Sequence, residues 1–218
     1  MNSHAEKMRR ELERIFDSFP HIHTSDIPGI DLYMDQVTTF LQDNLRGLSR
    51  DPDDDKFLTK TMINNYVKNK VLIPPVKKKY SRDHMMLLIM IYYMKSFLSI
   101  GDIRTVISPI MERYAKVPLD PKKDAADRRR DPSEGRREQD LAIHDIYEGI
   151  IADIEKQLPE IQADIERSIG FAEDTFPDAP EEDRHVLQRF ALICRLSAEV
   201  YMRKLFIEKL LDVENMTE

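Results

Sequence analysis

Between Met85 and Leu98 the chain is apolar on almost every face that a helix could present. A helix of that kind has no side to give to water, so it must run through the middle of a domain with other elements packed round it. Its strongly apolar stretch, Met85 to Met94, is about half the ~20 residues that a bilayer span needs, so a core helix is expected rather than a membrane segment. What must surround it also reads as helical. Only 6 of 218 residues are glycine and none is tryptophan. A sandwich or barrel with many tight glycine turns is therefore not expected, and a mainly α fold is. The single cysteine, Cys194, excludes an internal disulfide and a cysteine-based zinc site. Set among apolar neighbours, it is expected to be a packing residue. The first 14 residues carry charge at helical spacing and no apolar leader core, so a cytoplasmic protein is expected.

Helical periodicity organises the rest. Residues 4–19 form an amphipathic pattern through Met8, Leu12, Ile15, Phe16 and Phe19, and residues 31–45 a second through Leu32, Val37, Phe40, Leu41 and Leu45. Thr59 is placed to cap a third helix reaching about Val71, and Ser81 to cap the core helix. Ser99 and Asp102 have capping-box spacing at the start of the next one. Residues 120–140 are dominated by charge and punctuated by proline and glycine, which marks a linker. Beyond it Ile143, Tyr147, Ile150, Ile154, Leu158, Ile161, Ile165 and Ile169 recur at intervals of 3 and 4, with Pro159 among them as a kink or a fresh start. The intervals lie closer to an 11-residue repeat than to a heptad, so a fairly straight helix is expected. A last helix runs from about Glu181 to Val213. The domain boundaries expected are 1–30 for an N-terminal helix and loop, 31–116 for a central domain, 117–138 for the linker, and 139–218 for a helical hairpin. That hairpin carries more apolar surface than two helices hide, which predicts a homodimer through residues 139–213.

The charge is concentrated. The formal net charge is −7, yet the 27 residues from Lys56 to Arg82 hold eight basic side chains and no acid, which leaves −15 on the remainder. One face suited to a polyanion, in a molecule that otherwise repels it, is the expectation. At 100° per residue Met62, Ile63, Tyr66 and Val67 share an apolar arc of the third helix. Thr61, Asn64, Asn65 and Lys68 fall on the opposite arc, with Lys60 at its edge. Asparagine suits bidentate contacts to adenine and lysine suits guanine or phosphate. After the helix-incompatible Ile73-Pro74-Pro75-Val76, the run Lys77, Lys78, Lys79, Tyr80 with Arg82 forms an extended arm suited to backbone phosphates, which position but do not specify.

Three stretches identify what this pattern resembles. Residues 63–74 (Ile-Asn-Asn-Tyr-Val-Lys-Asn-Lys-Val-Leu-Ile-Pro), followed by Lys79-Tyr80-Ser81 and the apolar helix, resemble the DNA-binding domain of MerR-type regulators. Tyr66, Lys68, Val71, Leu72, Pro74 and Tyr80 match that pattern, as does the helix start at Ser99-Ile100-Gly101-Asp102-Ile103. The resemblance covers about residues 31–115. It departs at Asn64, where that family has arginine, at Lys70, where it has glycine, and in the long acidic link over residues 46–56. Residues 34–38, 58–66 and 74–81 are also similar to the bacterial family catalogued as domain of unknown function 1836. Together these imply a MerR-like winged helix-turn-helix domain with a small extended wing, followed by a C-terminal helical hairpin.

The function this implies is a transcription regulator that binds duplex DNA as a dimer. The alternative is a helical adaptor whose basic patch meets an acidic protein or RNA. No glycine-rich phosphate loop, nucleophile elbow or metalloprotease helix is present in the sequence, so neither an enzyme nor a cofactor is expected. His21 and His23 have no third ligand near them in sequence and are expected to be solvated in a loop rather than to hold a metal. A small-molecule effector is left open, with no residue to name for it.

Overall fold

The computed structural model describes residues 4–50, 58–115 and 141–215. The fold is mainly helical, with one two-stranded antiparallel ribbon. In order along the chain come α1 (His4–Asp17), β1 (Leu32–Tyr33), α2 (Met34–Leu45), α3 (Lys60–Lys68) and β2 (Lys79–Tyr80). They are followed by α4 (Arg82–Met94), α5 (Ile100–Tyr114), α6 (Ile143–Glu173) and α7 (Glu181–Asn215). The charged linker expected at residues 117–138 lies outside the described residues. Among the described residues, no helix is long and apolar enough to cross a membrane.

The chain divides into two compact units, one of residues 20–152 and one of residues 1–19 with 153–218. These boundaries differ from those drawn on the sequence. Residues 20–30 and the first ten residues of α6 go with the central unit, and α1 goes with the C-terminal helices.

In the central unit α4 is the hub: His84 through Ile89 and Ile91 are all buried, as a helix apolar on every face requires. Val37 and Leu41 of α2, Ile63 and Tyr66 of α3, the Val71-Leu72-Ile73 run and Ile103, Ile107 and Met111 of α5 supply other buried side chains of this unit. Ile143, Tyr147 and Ile151 of α6 are buried here as well. Residues 31–33 were expected to open a helix. Instead Leu32 and Tyr33 form β1, which pairs with β2 in the register Leu32 to Tyr80 and Tyr33 to Lys79.

The loop over residues 20–27 is fastened from two sides. The Tyr147 hydroxyl donates to the Ile22 carbonyl at 2.7 Å, and the Thr24 N–H donates to Glu148 Oε1 at 2.6 Å. His23 Nδ1 lies 3.2 Å from Glu148 Oε2, and His144 Nε2 lies 3.1 Å from the Thr24 hydroxyl. The Thr24 hydrogen bonds, with a smaller contribution from His23, hold the Glu148 carboxyl down at about 2. His23 is therefore a fastening residue, where the sequence suggested a solvated one. From the other side Arg82 donates to the carbonyls of Thr24 and Ile27.

The second unit is built on Ala5 and Leu12 of α1, Ile169 and Ala172 of α6 and Leu192 of α7, with Met8, Phe16, Ile165 and Leu196 packed against them. α6 runs unbroken through Pro159. Cys194 is exposed, which corrects its expected place in the core.

Candidate nucleic-acid interface

α3 begins as its sequence dictates: the Thr59 hydroxyl accepts from the Met62 N–H at 3.2 Å. Its end is a Schellman motif. The Lys70 N–H donates to the Val67 carbonyl at 3.1 Å and the Val71 N–H to the Tyr66 carbonyl at 2.8 Å, with Lys70 in the left-handed region at φ 59°. The motif turns the chain abruptly, so that Val71, Leu72 and Ile73 dive into the core directly after a solvent-facing Lys68-Asn69-Lys70. Ile63 and Tyr66 are buried while Met62 and Val67 are half-buried, so the apolar arc faces inward as a unit.

The opposite arc is open. Thr61, Asn64, Asn65 and Lys68 are all exposed and, with Met62, line a shallow depression of about 350 Å³. The four are not equally free. The Asn65 side-chain oxygen accepts from the Asn69 amide at 2.8 Å, which occupies one of its hydrogen-bonding edges. Lys60, at the rim, is ion-paired with Asp35 in the first turn of α2.

The arm after Pro74-Pro75 is a complete small hairpin. Val76 and Lys79 exchange both backbone hydrogen bonds, at 3.1 and 2.9 Å, and between them Lys77 and Lys78 have φ of 49° and 64°. Two consecutive positive φ values at the centre of a two-residue loop describe a type I′ turn, which glycine and asparagine normally fill. Here lysine fills both places, and both side chains are exposed. Lys79 is half-buried, its ammonium 5.2 Å from the centroid of the Tyr33 ring on the paired strand.

Two residues of the expected basic site take other positions. Tyr80 is 3% exposed, its ring edge-on to His84 at 5.4 Å, and burial pushes its hydroxyl pKa up. Arg82 is half-buried and spends its guanidinium on the loop carbonyls described above. Of the expected site residues, Lys60, Thr61, Asn64, Asn65 and Lys68 at α3 and Lys77 and Lys78 at the turn are exposed, Lys60 while ion-paired with Asp35.

Tyr33 and Asp35 escaped sequence reasoning. Tyr33 enters through the pairing of β1 with β2, which joins residues 46 positions apart, and Asp35 through its ion pair with Lys60; neither leaves a trace in local periodicity.

No curated protein and no solved structure matches the chain. Residues 22–124 match the family described as domain of unknown function (DUF1836), a little under half of the chain. That match supports the family resemblance carried by residues 34–38, 58–66 and 74–81.

Proposed function

We propose that this chain is a transcription regulator of MerR-like winged helix-turn-helix type, which binds duplex DNA as a dimer with α3 as recognition helix and the Val76–Lys79 hairpin as wing. The observation that carries it is the exposed polar arc of α3, followed in the chain by a hairpin whose turn is made of two exposed lysines. Exposed Asn64 and Lys68 carry donor groups of the kind that read base edges in a major groove. Lys77 and Lys78 suit the flanking phosphates, which hold the protein in register without reading sequence. The residues outside 56–82 carry a net −15, so the acid-free segment is the part of the chain whose charge favours a polyanion.

The test is duplex binding measured across a salt series. Each phosphate contact removed lowers the slope of log K against log salt by about 0.9. Changing Lys77, Lys78 and Lys79 together to Ala flattens that slope and weakens all sequences alike. Asn64→Ala costs roughly 1–3 kcal/mol at particular base pairs. Asn65→Ala costs less, since Asn69 already holds part of that side chain. Unchanged affinity in the folded triple-lysine variant overturns the proposal and directs the search to an acidic protein or RNA partner.

A further inference from the structure

On sequence Asn64 and Asn65 suit the same base, but the fold makes them offer different groups. Asn64 is exposed, and among the described residues its side-chain amide has no hydrogen-bond partner, so oxygen and nitrogen are both open. Asn65 is held by Asn69, one helical turn further on. The Asn69 Nδ2 donates to the Asn65 backbone carbonyl and to the Asn65 Oδ1, both at 2.8 Å. Asn69 is also the C-cap of α3, and its backbone N–H donates to the same carbonyl at 2.9 Å.

That backbone carbonyl fixes which way both amides face. A carbonyl oxygen only accepts, so the Asn69 atom against it is the amide nitrogen. The nitrogen only donates, so the Asn65 atom against it is in turn the oxygen. An NH2 group has two hydrogens, one for each acceptor, so neither bond is made at the expense of the other. The Asn65 oxygen is thereby tied back to the helix, and the end of the side chain left for a ligand is Nδ2, a donor.

We propose that Asn69 is a positioning residue for base recognition: it makes Asn65 a donor-only reader, so that Asn65 selects guanine while Asn64 selects adenine. The proposal rests on the reading of α3 as a recognition helix. In the major groove guanine shows two adjacent acceptors, N7 and O6, whereas adenine sets a donor, its N6 amine, beside N7. A bidentate contact to adenine needs oxygen and nitrogen together, which Asn64 has and Asn65 has lost. A donor-only group meets guanine with no like group opposite it. Lys68, exposed and three residues on from Asn65, is donor-only as well, so this end of the arc offers donors alone.

The test is selection of duplexes from a randomised pool by the full chain, then binding of the selected duplex with each base pair changed in turn. The position whose preference disappears in Asn65→Ala is a G·C pair in wild type, favoured over A·T by roughly three- to tenfold, as one hydrogen bond allows. Asn69→Ala frees the Asn65 amide to present both edges, and the preference there moves to A·T. The helical signal and the preferences at other positions stay as in wild type, whereas a merely structural Asn69 weakens every position alike. Asn65→Asp is the second variant: it still accepts from Asn69 but presents oxygen in place of the amine, and the preference for guanine is lost. An A·T pair at that position in wild type, no position that depends on Asn65, or a guanine preference that survives either Asn69→Ala or Asn65→Asp overturns the proposal and leaves α3 a recognition helix. A wild type that retains no duplex overturns the reading of α3 itself, and this proposal with it.

Discussion

Lys70 stands where an L-residue is strained and a glycine is not. The left-handed conformation costs a side chain with a Cβ about 1–2 kcal/mol, and Lys70 meets that cost at φ 59° so that the Schellman motif can end α3. Lys70→Gly relieves the strain and loses part of the gain to the larger freedom of glycine in the unfolded chain, for a net stabilisation of about 0.5–1 kcal/mol. Urea unfolding measures it, and Lys70→Ala, which keeps the Cβ, gains nothing comparable. This position was legible in sequence as a departure from a glycine, though only the structure says what the glycine would be for. Cys194 shows the opposite failure. Its apolar neighbours suggested burial, but Leu192 and Cys194 are two residues apart on one helix and so differ by about 200°. Leu192 faces the core of its unit and Cys194 faces out.

At the scale of the element, helices that carry their own periodicity were readable and the ribbon was not. α2, α3, α4 and α5 follow apolar stripes and capping residues that lie within a few positions of each other, whereas β1 exists because β2 lies beside it. Two residues in an extended conformation have no pattern of their own to show. The structural role of Arg82 was hidden for the same reason, since its acceptors are the carbonyls of Thr24 and Ile27, more than 50 positions away. Hydrogen bonds from a charged donor are worth about 1.5–3 kcal/mol when partly buried, so Arg82→Ala destabilises the protein by about 2 kcal/mol. Lys77→Ala at the exposed turn changes stability by no more than about 0.5 kcal/mol. Denaturant midpoints of the two variants separate the arginine that holds a loop from the lysine that meets solvent. Equal midpoints would sink that distinction.

The whole molecule answers to pH through groups fixed by its packing. Burial lowers the pKa of His84 from 6.5, against a smaller upward pull from the Pro74 and Ile73 carbonyls and the charges of Asp83 and Asp31. Above 6.5 the ring is neutral in both states. Below it the unfolded chain takes up a proton that the folded chain resists, so stability falls as pH falls. Glu148 adds a second acid limb: its stabilisation is full above the ordinary 4.5 and is lost as pH drops toward about 2. Comparing wild type with His84→Gln between about pH 8 and 5 isolates the first limb. The wild type loses stability over that range and the variant shows a shallower loss; identical slopes would show that the ring contributes nothing. The mainly helical character and the outward-facing polar arc of α3 could be read from the sequence because both rest on short-range pattern. The division into two units could not, because it depends on α1 meeting helices more than 150 residues downstream. That separation fixes an order of events during synthesis. The central unit is one continuous stretch and can close while the chain is still growing, but α1 leaves the ribosome first and finds its partners only when Ile169 and Leu192 have followed. Until they follow, it is an amphipathic helix with its apolar face uncovered, and its contacts with the helices around Ile169 and Leu192 form late because they span so much sequence.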